Sequence, residues 1–309
     1  MTSAVAAIDC GTNAIRLLVA EVDAAGTLHE HVRLMQIVRL GEGIDRTGEF
    51  APEALDRTFA AVDEYADVIR GLGVTRARFV ATSASRDASN RDEFVAGVRH
   101  RLGIDPEVIT GTEEAALSFT GAVRGLPPGR VSAPALVVDI GGGSTEFVLG
   151  SSGPEYSASV DVGCVRMTER HLHDDPPTAD QIAATWVDIE AAVEAAGQRV
   201  PFAEAGCLVG LAGSVTTVAA MAMDLPEYDA RVLHGAVVSA DDVAGVTSRL
   251  LAMTRAERAR LPFMHPGRVD IIAGGAMVLQ AAMRAAGADR VVVSETDILD
   301  GIVYSLAAN

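Results

Sequence analysis

No lysine occurs in this chain of 309 residues, and all 25 of its basic residues are arginines. The absence excludes a P-loop lysine, a Schiff-base lysine and a lysine general base. Any phosphate group that the chain binds must therefore be held by backbone N–H groups, metal ions or arginine. Arginine is the expected side-chain ligand, because its planar guanidinium donates two parallel hydrogen bonds to phosphate oxygens.

Cysteine is scarce as well. Cys10, Cys164 and Cys207 lie far apart and form no CxxC pair, so neither a disulfide framework nor a zinc site is indicated. No basic segment followed by an apolar one stands at the N-terminus. The most apolar stretch, residues 208–223, is interrupted by serine and threonine and is too short to span a bilayer. We therefore expect a soluble cytoplasmic protein with no membrane partner.

Positive charge is in deficit, since the formal net charge is -17. This charge argues against a broad surface for nucleic acid or anionic lipid. The length allows two domains of roughly 150 residues each, and an apolar content of 49% supports sizeable cores. An acidic chain that binds phosphate must do so locally, with a few placed cations, helix N-termini and metal ions.

Residues 135–149, ALVVDIGGGSTEFVL, read as a buried strand, a glycine turn and a returning strand. Glycines let backbone N–H groups approach an anion, because no Cβ intervenes. Asp139, at the tip, offers a carboxylate that could hold hydrated Mg²⁺ beside the anion. Taken alone, the segment could equally be a plain hairpin with a glycine turn.

The pattern occurs twice. Residues 5–22, VAAIDCGTNAIRLLVAEV, repeat it 130 positions earlier, with Asp9 in the place of Asp139 and Gly11 in the place of Gly141. Because internal repeats reveal architecture, two such hairpins predict two similar α/β domains that face each other across a phosphate-holding cleft.

These segments resemble the first and second phosphate motifs of the actin-like ATPase superfamily. More narrowly, the chain resembles the exopolyphosphatase/guanosine pentaphosphate phosphohydrolase (Ppx/GppA) family in its short two-domain form. The narrower resemblance also rests on ATSASRDASN (81–90), GTEEAALSF (111–119), VGCVRMTE (162–169), GLAGSVTTVAA (210–220) and GRVDIIAGGAMVL (267–279).

The resemblance implies an α/β fold of two ribonuclease-H-like (actin-like ATPase) domains, with mixed sheets flanked by helices and an active site in the interdomain cleft. The glycine- and proline-rich stretch 125–129 predicts a domain boundary there. We expect an N-terminal domain over residues 1–127, a second domain over 128–296, and a C-terminal helix in 297–309 that packs back on the first domain.

The resemblance also implies a site. Glu114 would be the general base and Glu146 a second catalytic carboxylate. Asp9, Asp139 and Glu146 would hold Mg²⁺ or Mn²⁺, and K⁺ would stimulate activity. Ala14 departs from the serine usual in the family, which removes one hydrogen-bond donor near the phosphate. The expected phosphate ligands are Gly11, Thr12, Asn13, Arg16, Arg86, Gly141, Gly142, Gly143 and Ser144, with Arg166, Gly213, Ser214 and Arg268 as further cleft candidates.

Each of these residues also has a structural alternative. Arg16 reads equally as a surface strand charge, Glu114 as a partner of the helix macrodipole, and Glu146 as an outward-facing strand residue. Gly213 and Ser214 could form an ordinary helix cap at the start of a helix. The loop with His171 and His173 could be merely exposed or could bind a metal. The glycine-rich loop 40–45 could border the cleft or be a plain connector. A helix is predicted over 267–286, and in it Arg268 could pair with Asp270 or line the cleft.

The expected function is hydrolysis of terminal phosphoanhydride bonds in inorganic polyphosphate, with short chains preferred, in pppGpp, or in both. One alternative is a phosphotransferase of the same superfamily, such as a sugar or acetate kinase. A second is a non-catalytic sensor of polyphosphate or an alarmone. Family analogy also suggests a homodimer.

Overall fold

A computed structural model describes residues 3–307. The chain divides into two compact units. The first unit comprises the residues up to Gly121 and those from Ile298 onward, and the second comprises Ala122–Asp297. The division falls inside a helix, just before the stretch 125–129 where we placed the boundary. No helix of the described part is both long and apolar enough to cross a membrane.

The first unit contains five strands and several helices. Pro52 stands at the first position of its longest helix, where the fixed φ of proline suits the helix and its missing N–H costs nothing. In chain order the elements are β1 (Val5–Cys10), β2 (Ala14–Val22), β3 (Leu28–Ile37), α1 (Ile44–Thr47), α2 (Pro52–Gly71), β4 (Ala77–Ala81), α3 (Ser83–Asp87), α4 (Arg91–Leu102), β5 (Glu107–Val108) and α5 (Gly111–Gly125), which runs past the division.

The second unit follows the same plan with additions. Its elements are β6 (Ala135–Ile140), β7 (Thr145–Gly150), β8 (Pro154–Val160), α6 (Cys164–His171), α7 (Ala179–Gly197), β9 (Cys207–Leu211), α8 (Ala212–Ala222), α9 (Ala230–Leu233), β10 (Val237–Ser239), α10 (Ala240–Ala252), α11 (Arg255–Arg258), α12 (Ile272–Ala286) and β11 (Arg290–Val293). The last helix, α13 (Ile298–Ala307), belongs to the first unit.

The two sheets share one strand order. The first runs β3-β2-β1-β4-β5, and the second runs β8-β7-β6-β9-β11 with β10 added at its edge. In each, the hairpin strands pair antiparallel and the central strand pairs parallel with the next. The register shift at Val19/Ala20 recurs at Leu149/Gly150, again 130 positions on. The predicted α/β fold with two mixed sheets flanked by helices is therefore confirmed.

Helix α13 packs against β1 and β2. Its residues Leu299, Ile302 and Val303 lie in one apolar cluster with Ala7 and Leu18 of those strands, and all five are almost fully buried. The C-terminal segment thus completes the core on one face of the first sheet.

The helix predicted over residues 267–286 starts later than expected. Pro266–Arg268 instead form a 3-10 turn, which His265 caps by accepting a hydrogen bond from Gly267 N–H at Nδ1 (3.1 Å). Asp270 then binds Arg255 (2.6 Å) before α12 begins at Ile272. The prediction of the helix start was wrong because apolar periodicity does not reveal a side-chain cap.

Candidate active site

The two glycine turns are closed in the same way. Gly11 N–H donates to Ala14 O, and Gly141 N–H donates to Ser144 O, both at 3.0 Å. Each turn follows a fully buried strand, β1 or β6, whose burial fixes where the turn starts. The repeat seen in the sequence is therefore a repeat of backbone geometry.

The carbonyl groups of the second turn are bound by helix α6. Cys164 N–H donates to Gly141 O (3.0 Å) and Val165 N–H to Gly142 O (2.9 Å). Gly163, just before the helix, has no room for a Cβ, which would lie 2.4 Å from Gly142 O. The turn and the start of α6 are therefore in direct backbone contact.

Two N–H groups of this turn remain available as donors. Within residues 3–307, Gly142 N–H and Gly143 N–H have no protein acceptor, whereas Gly143 O accepts a hydrogen bond from Arg166 Nε (2.8 Å). Because backbone N–H groups in a protein interior are almost always paired, unpaired ones in a glycine turn suit an anion. Arg166 holds the turn through that carbonyl.

The first turn is held by the glycine-rich loop 40–45. Thr12 O accepts a hydrogen bond from Gly41 N–H (2.9 Å), and Asn13 O accepts one from Arg39 N–H (2.9 Å). A Cβ on Gly41 would lie 2.4 Å from Thr12 Cγ2, so the loop packs directly on the turn. Thr12 N–H has no acceptor within the described part of the chain. The loop is therefore a support for the turn rather than a plain connector.

Asp9 and Arg16 form a cross-strand ion pair at the base of the first turn. They are direct partners in the β1–β2 register. Arg16 Nε and Nη2 lie 3.0 and 2.5 Å from Asp9 Oδ2, and Asp9 is buried. Arg16 is thus a counter-ion of Asp9 and not a plain surface charge.

The second hairpin places two carboxylates in the same positions. Asp139 and Glu146 are direct partners in the β6–β7 register, and their exposures are 7% and 1%. The alternative of an outward-facing Glu146 is therefore wrong. Side chains of directly opposed residues share a face of the sheet, and like charges there repel. A cation beside this pair would relieve that repulsion.

Such a pair fits magnesium better than zinc. Residues 3–307 contain no group of three or more His, Cys, Asp or Glu side chains that could hold a metal by themselves. Mg²⁺ usually binds one or two carboxylates and completes its octahedron with water and phosphate oxygens, so two carboxylates are enough. Arg16 engages Asp9 through Oδ2, so Asp9 would join a metal set through its other oxygen, Oδ1.

Glu146 is held by two serine hydroxyls. Ser144 Oγ and Ser159 Oγ each donate a hydrogen bond to Glu146 Oε1, both at 2.8 Å. Sequence reasoning assigned Ser144 to phosphate, whereas its hydroxyl here binds the carboxylate. Ser159 was not predicted, because only the β7–β8 register brings it to Glu146.

Glu114 lies in the first turn of α5. Thr110 precedes this helix and accepts two hydrogen bonds from its first turn. Its Oγ1 accepts one from Glu113 N–H (3.2 Å), and its carbonyl oxygen accepts one from Glu114 N–H (2.9 Å). Glu113 then faces Arg78 (2.6 Å) on the surface, whereas Glu114 is buried and accepts a hydrogen bond from Arg86 Nη1 (2.7 Å). Adjacent glutamates thus have different surroundings.

Burial raises the pKa of Glu114 above the usual value of a glutamic acid. Arg86 acts in the opposite direction through its charge and hydrogen bond, Asp9 raises the pKa further, and the Thr82 hydroxyl lowers it. Desolvation of the charged form is the dominant cause. Asp9, Arg86 and Glu114 of the first unit therefore influence one another electrostatically. A carboxylate with a raised pKa suits proton transfer near neutral pH.

The remaining candidates gather where α8 follows β9. The Arg268 guanidinium lies over Gly213, where a Cβ would approach it to 2.5 Å, and its Nη1 donates to Thr217 Oγ1 (3.2 Å). Ser214 packs against Gly275 near Cys164, which binds the second glycine turn. These residues therefore adjoin that turn.

Sequence reasoning missed two polar residues beside Arg268. The Tyr228 hydroxyl lies 2.7 Å from Glu295 Oε1 and 2.8 Å from Thr216 Oγ1, and the Arg268 guanidinium carbon lies 6.0 Å from the centre of the Tyr228 ring. Burial raises the pKa of Glu295. No local motif marks either residue, so only tertiary structure could reveal them.

The histidine loop is tied to neighbouring elements by hydrogen bonds. His171 Nε2 lies 2.8 Å from Asp188 Oδ2 of α7, and Asp175 accepts a hydrogen bond from the backbone N–H of Arg255 (2.7 Å). His173 belongs to no metal-binding cluster of the described residues. These side chains stabilise a surface segment.

Matching sheets, paired glycine turns and buried carboxylates define an α/β protein of the actin-like ATPase fold. The model of the Ppx/GppA phosphatase family matches residues 18–309. Exopolyphosphatase 2 of Mycobacterium tuberculosis is 50% identical over 98% of this chain and 98% of its own. The chain belongs to the Ppx/GppA phosphatase family.

Solved structures agree with this assignment. The crystal structure of an exopolyphosphatase-like protein is 45% identical, with a TM-score of 0.94 over 99% of this chain and 98% of that one. The crystal structure of the Ppx/GppA family member of Aquifex aeolicus is 28% identical, with a TM-score of 0.83 over 100% and 98% of the two chains.

Proposed function

We propose that the chain is an exopolyphosphatase, which hydrolyses the terminal phosphoanhydride bond of inorganic polyphosphate and releases orthophosphate. The buried Asp139–Glu146 pair carries the proposal, since it lies at the ends of a glycine turn in which the N–H groups of Gly142 and Gly143 have no acceptor in the described protein. A relative that is 50% identical bears the name Exopolyphosphatase 2, which supports the choice of substrate.

Each residue has a distinct role in this proposal. The N–H groups of Gly142 and Gly143 bind terminal phosphate oxygens. Ionised Glu114 accepts the proton of the attacking water, and Arg86 keeps that carboxylate oriented through its hydrogen bond of 2.7 Å. Asp139 and Glu146 would hold Mg²⁺ or Mn²⁺, which when bound neutralises the charge of the transferred phosphoryl group.

The decisive experiment is phosphate release without any acceptor. Purified protein with Mg²⁺ is given tripolyphosphate, long polyphosphate, pppGpp or ATP, and orthophosphate is measured with malachite green. Release from tripolyphosphate supports the proposal, and the other substrates define chain-length and nucleotide preference. Phosphate transfer only to an added sugar or acetate would indicate a phosphotransferase, and thermal stabilisation by substrate without any release would indicate a sensor.

The general base is tested by a matched pair of variants. Glu114→Gln removes the buried carboxylate and should lower kcat by a factor of about 10² to 10⁴. Glu113→Gln makes the same change at the exposed neighbour and should leave kcat within about twofold, as surface changes usually do. Near-normal turnover by Glu114→Gln would refute the assignment of Glu114.

The family resemblance extends the proposal in three ways. It predicts hydrolysis of pppGpp, stimulation by K⁺ and a homodimer. The substrate panel tests the first, replacing Na⁺ by K⁺ in the assay tests the second, and sedimentation velocity tests the third.

A further inference from the structure

Three polar side chains form a row across the second hairpin and the strand beside it. Asp139 of β6 is opposite Glu146 of β7, and Glu146 is opposite Ser159 of β8. Directly opposed residues of antiparallel strands point to the same face of the sheet. Glu146 therefore lies between a second carboxylate and a hydroxyl group.

Ser159 binds the carboxylate through a specific atom. Its Oγ donates to Glu146 Oε1 (2.8 Å), the same oxygen that accepts the hydroxyl of Ser144 (2.8 Å). Two donors on one oxygen fix the orientation of the carboxylate. A glutamate that is only 1% exposed also needs such donors to remain charged.

The first unit offers a comparison within the same chain. The corresponding row consists of Asp9, Arg16 and Met35. Asp9 has a permanent cation as its neighbour there, and the third strand supplies no hydroxyl. The hydroxyl thus occurs in the hairpin that carries two carboxylates and not in the one that carries its own positive charge.

We propose that Ser159 is a positioning residue, which orients Glu146 so that the Asp139–Glu146 pair binds a divalent cation. The proposal rests on the metal assignment made under Proposed function. In the described residues, the side-chain hydrogen bond of Ser159 is to Glu146 Oε1. Ser159 lies on β8, outside the glycine turn, and acts only through Glu146. Hydrogen-bond partners of metal ligands typically change metal affinity by 10- to 100-fold when they are removed.

The test measures Mn²⁺ binding to substrate-free protein by electron paramagnetic resonance. Ser159→Ala should raise the dissociation constant about tenfold, and Ser159→Thr, which keeps the hydroxyl, should stay within about threefold of wild type. Ser157→Ala is the matched control, because Ser157 lies on the same face of β8, opposite Val148, and should leave the constant unchanged. The Mg²⁺ concentration for half-maximal phosphate release should rise in parallel in Ser159→Ala, with kcat at saturating Mg²⁺ retained within about threefold.

The possible outcomes separate the two proposals. Wild-type Mn²⁺ affinity in a folded Ser159→Ala protein would overturn the positioning role, and so would a lowered Tm with unchanged affinity. Should the alanine variant not fold, Ser159→Thr and Ser159→Val give the same comparison at equal volume. Unchanged affinity in Glu146→Gln, or no Mn²⁺ binding by the wild type, would also overturn it. Failure of the wild type to release phosphate would instead refute the proposed function, while the binding measurements would still decide the role of Ser159.

Discussion

Asp9 and Asp139 occupy equivalent positions of the repeat, but the side chains opposite them differ in charge. Arg16 stands opposite Asp9, and Glu146 stands opposite Asp139, at positions that are also 130 residues apart. The first hairpin therefore places a cation opposite its carboxylate, whereas the second places two carboxylates opposite each other. The difference between Arg16 in the first hairpin and Glu146 at the equivalent position of the second is the reason why we assign the metal to the second unit.

The raised pKa of Glu114 predicts the pH dependence of activity. A general base works only when it is ionised, so kcat/KM should rise with pH through a midpoint above 4.5, the ordinary pKa of glutamic acid. A pH profile between 4.5 and 8.5 on tripolyphosphate measures this midpoint. Activity at pH 4.5 that is already half of the plateau or more would contradict the role of burial.

The same shift predicts a change in stability. Because the pKa is higher in the folded state than in the unfolded state, Glu114 contributes stability that is fully present below the unfolded pKa and is lost as pH rises through the folded one. Glu114→Gln should therefore raise Tm at pH 8, with a smaller gain near pH 5. Differential scanning calorimetry of Glu114→Gln and the exposed control Glu113→Gln measures the difference, and an equal gain at both pH values would refute the explanation.

From the sequence, only those individual site residues that lie in family motifs could be predicted. Asp139, Glu114 and the glycines were predicted, because the family motifs contain them. The ion pair of Asp9 with Arg16 and the hydrogen bond from Ser159 to Glu146 were not predicted. Both depend on which residues of neighbouring strands stand opposite each other, and the sequence specifies that register only through the complete sheet.

At the scale of elements, the second glycine turn depends on the start of α6. The strands and the two hairpins were predictable, since alternation and glycine turns are local signals. The backbone contact between Gly163 and Gly142 was not, because a single glycine before a helix is common in any loop. Helix α12 shows the same limit, as its start is decided by the cap at His265.

Gly163→Ala should disturb this contact and the phosphate turn with it. The backbone of Gly163 is extended, so alanine is not strained there, but its Cβ would lie 2.4 Å from Gly142 O. Forced displacement of this kind costs about 1–3 kcal/mol and should lower kcat/KM as well. Urea unfolding and phosphate release measure both effects. Gly153→Ala, where a Cβ meets nothing within 4 Å, is the control, and identical behaviour of the two variants would contradict the prediction.

For the whole molecule, the two ends of the described chain meet in one core. Ile302 of α13 is fully buried in the cluster that contains Val5 and Leu18. Each unit has its own apolar core. The exact point of division was less predictable, because helix α5 continues through it.

Ile302→Ala should destabilise the first unit by about 2–5 kcal/mol, because it leaves a cavity in this core. Urea unfolding followed by circular dichroism reports the loss of structure, and fluorescence of Trp186, the single tryptophan, reports the second unit. We expect loss of dichroism at lower urea than in wild type. Leu72→Ala, at a position that is 49% exposed, is the control, and equal stability of the two variants would show that α13 contributes nothing to the core.

The return of α13 to β1 and β2 also constrains the order of events during synthesis. The second unit is continuous in sequence, so all of it has left the ribosome before α13 emerges. The nascent first unit must wait with part of one apolar face of its sheet uncovered until that helix arrives. Chaperones that bind exposed apolar surface should therefore associate with the growing chain longer at β1 and β2 than at any strand of the second unit.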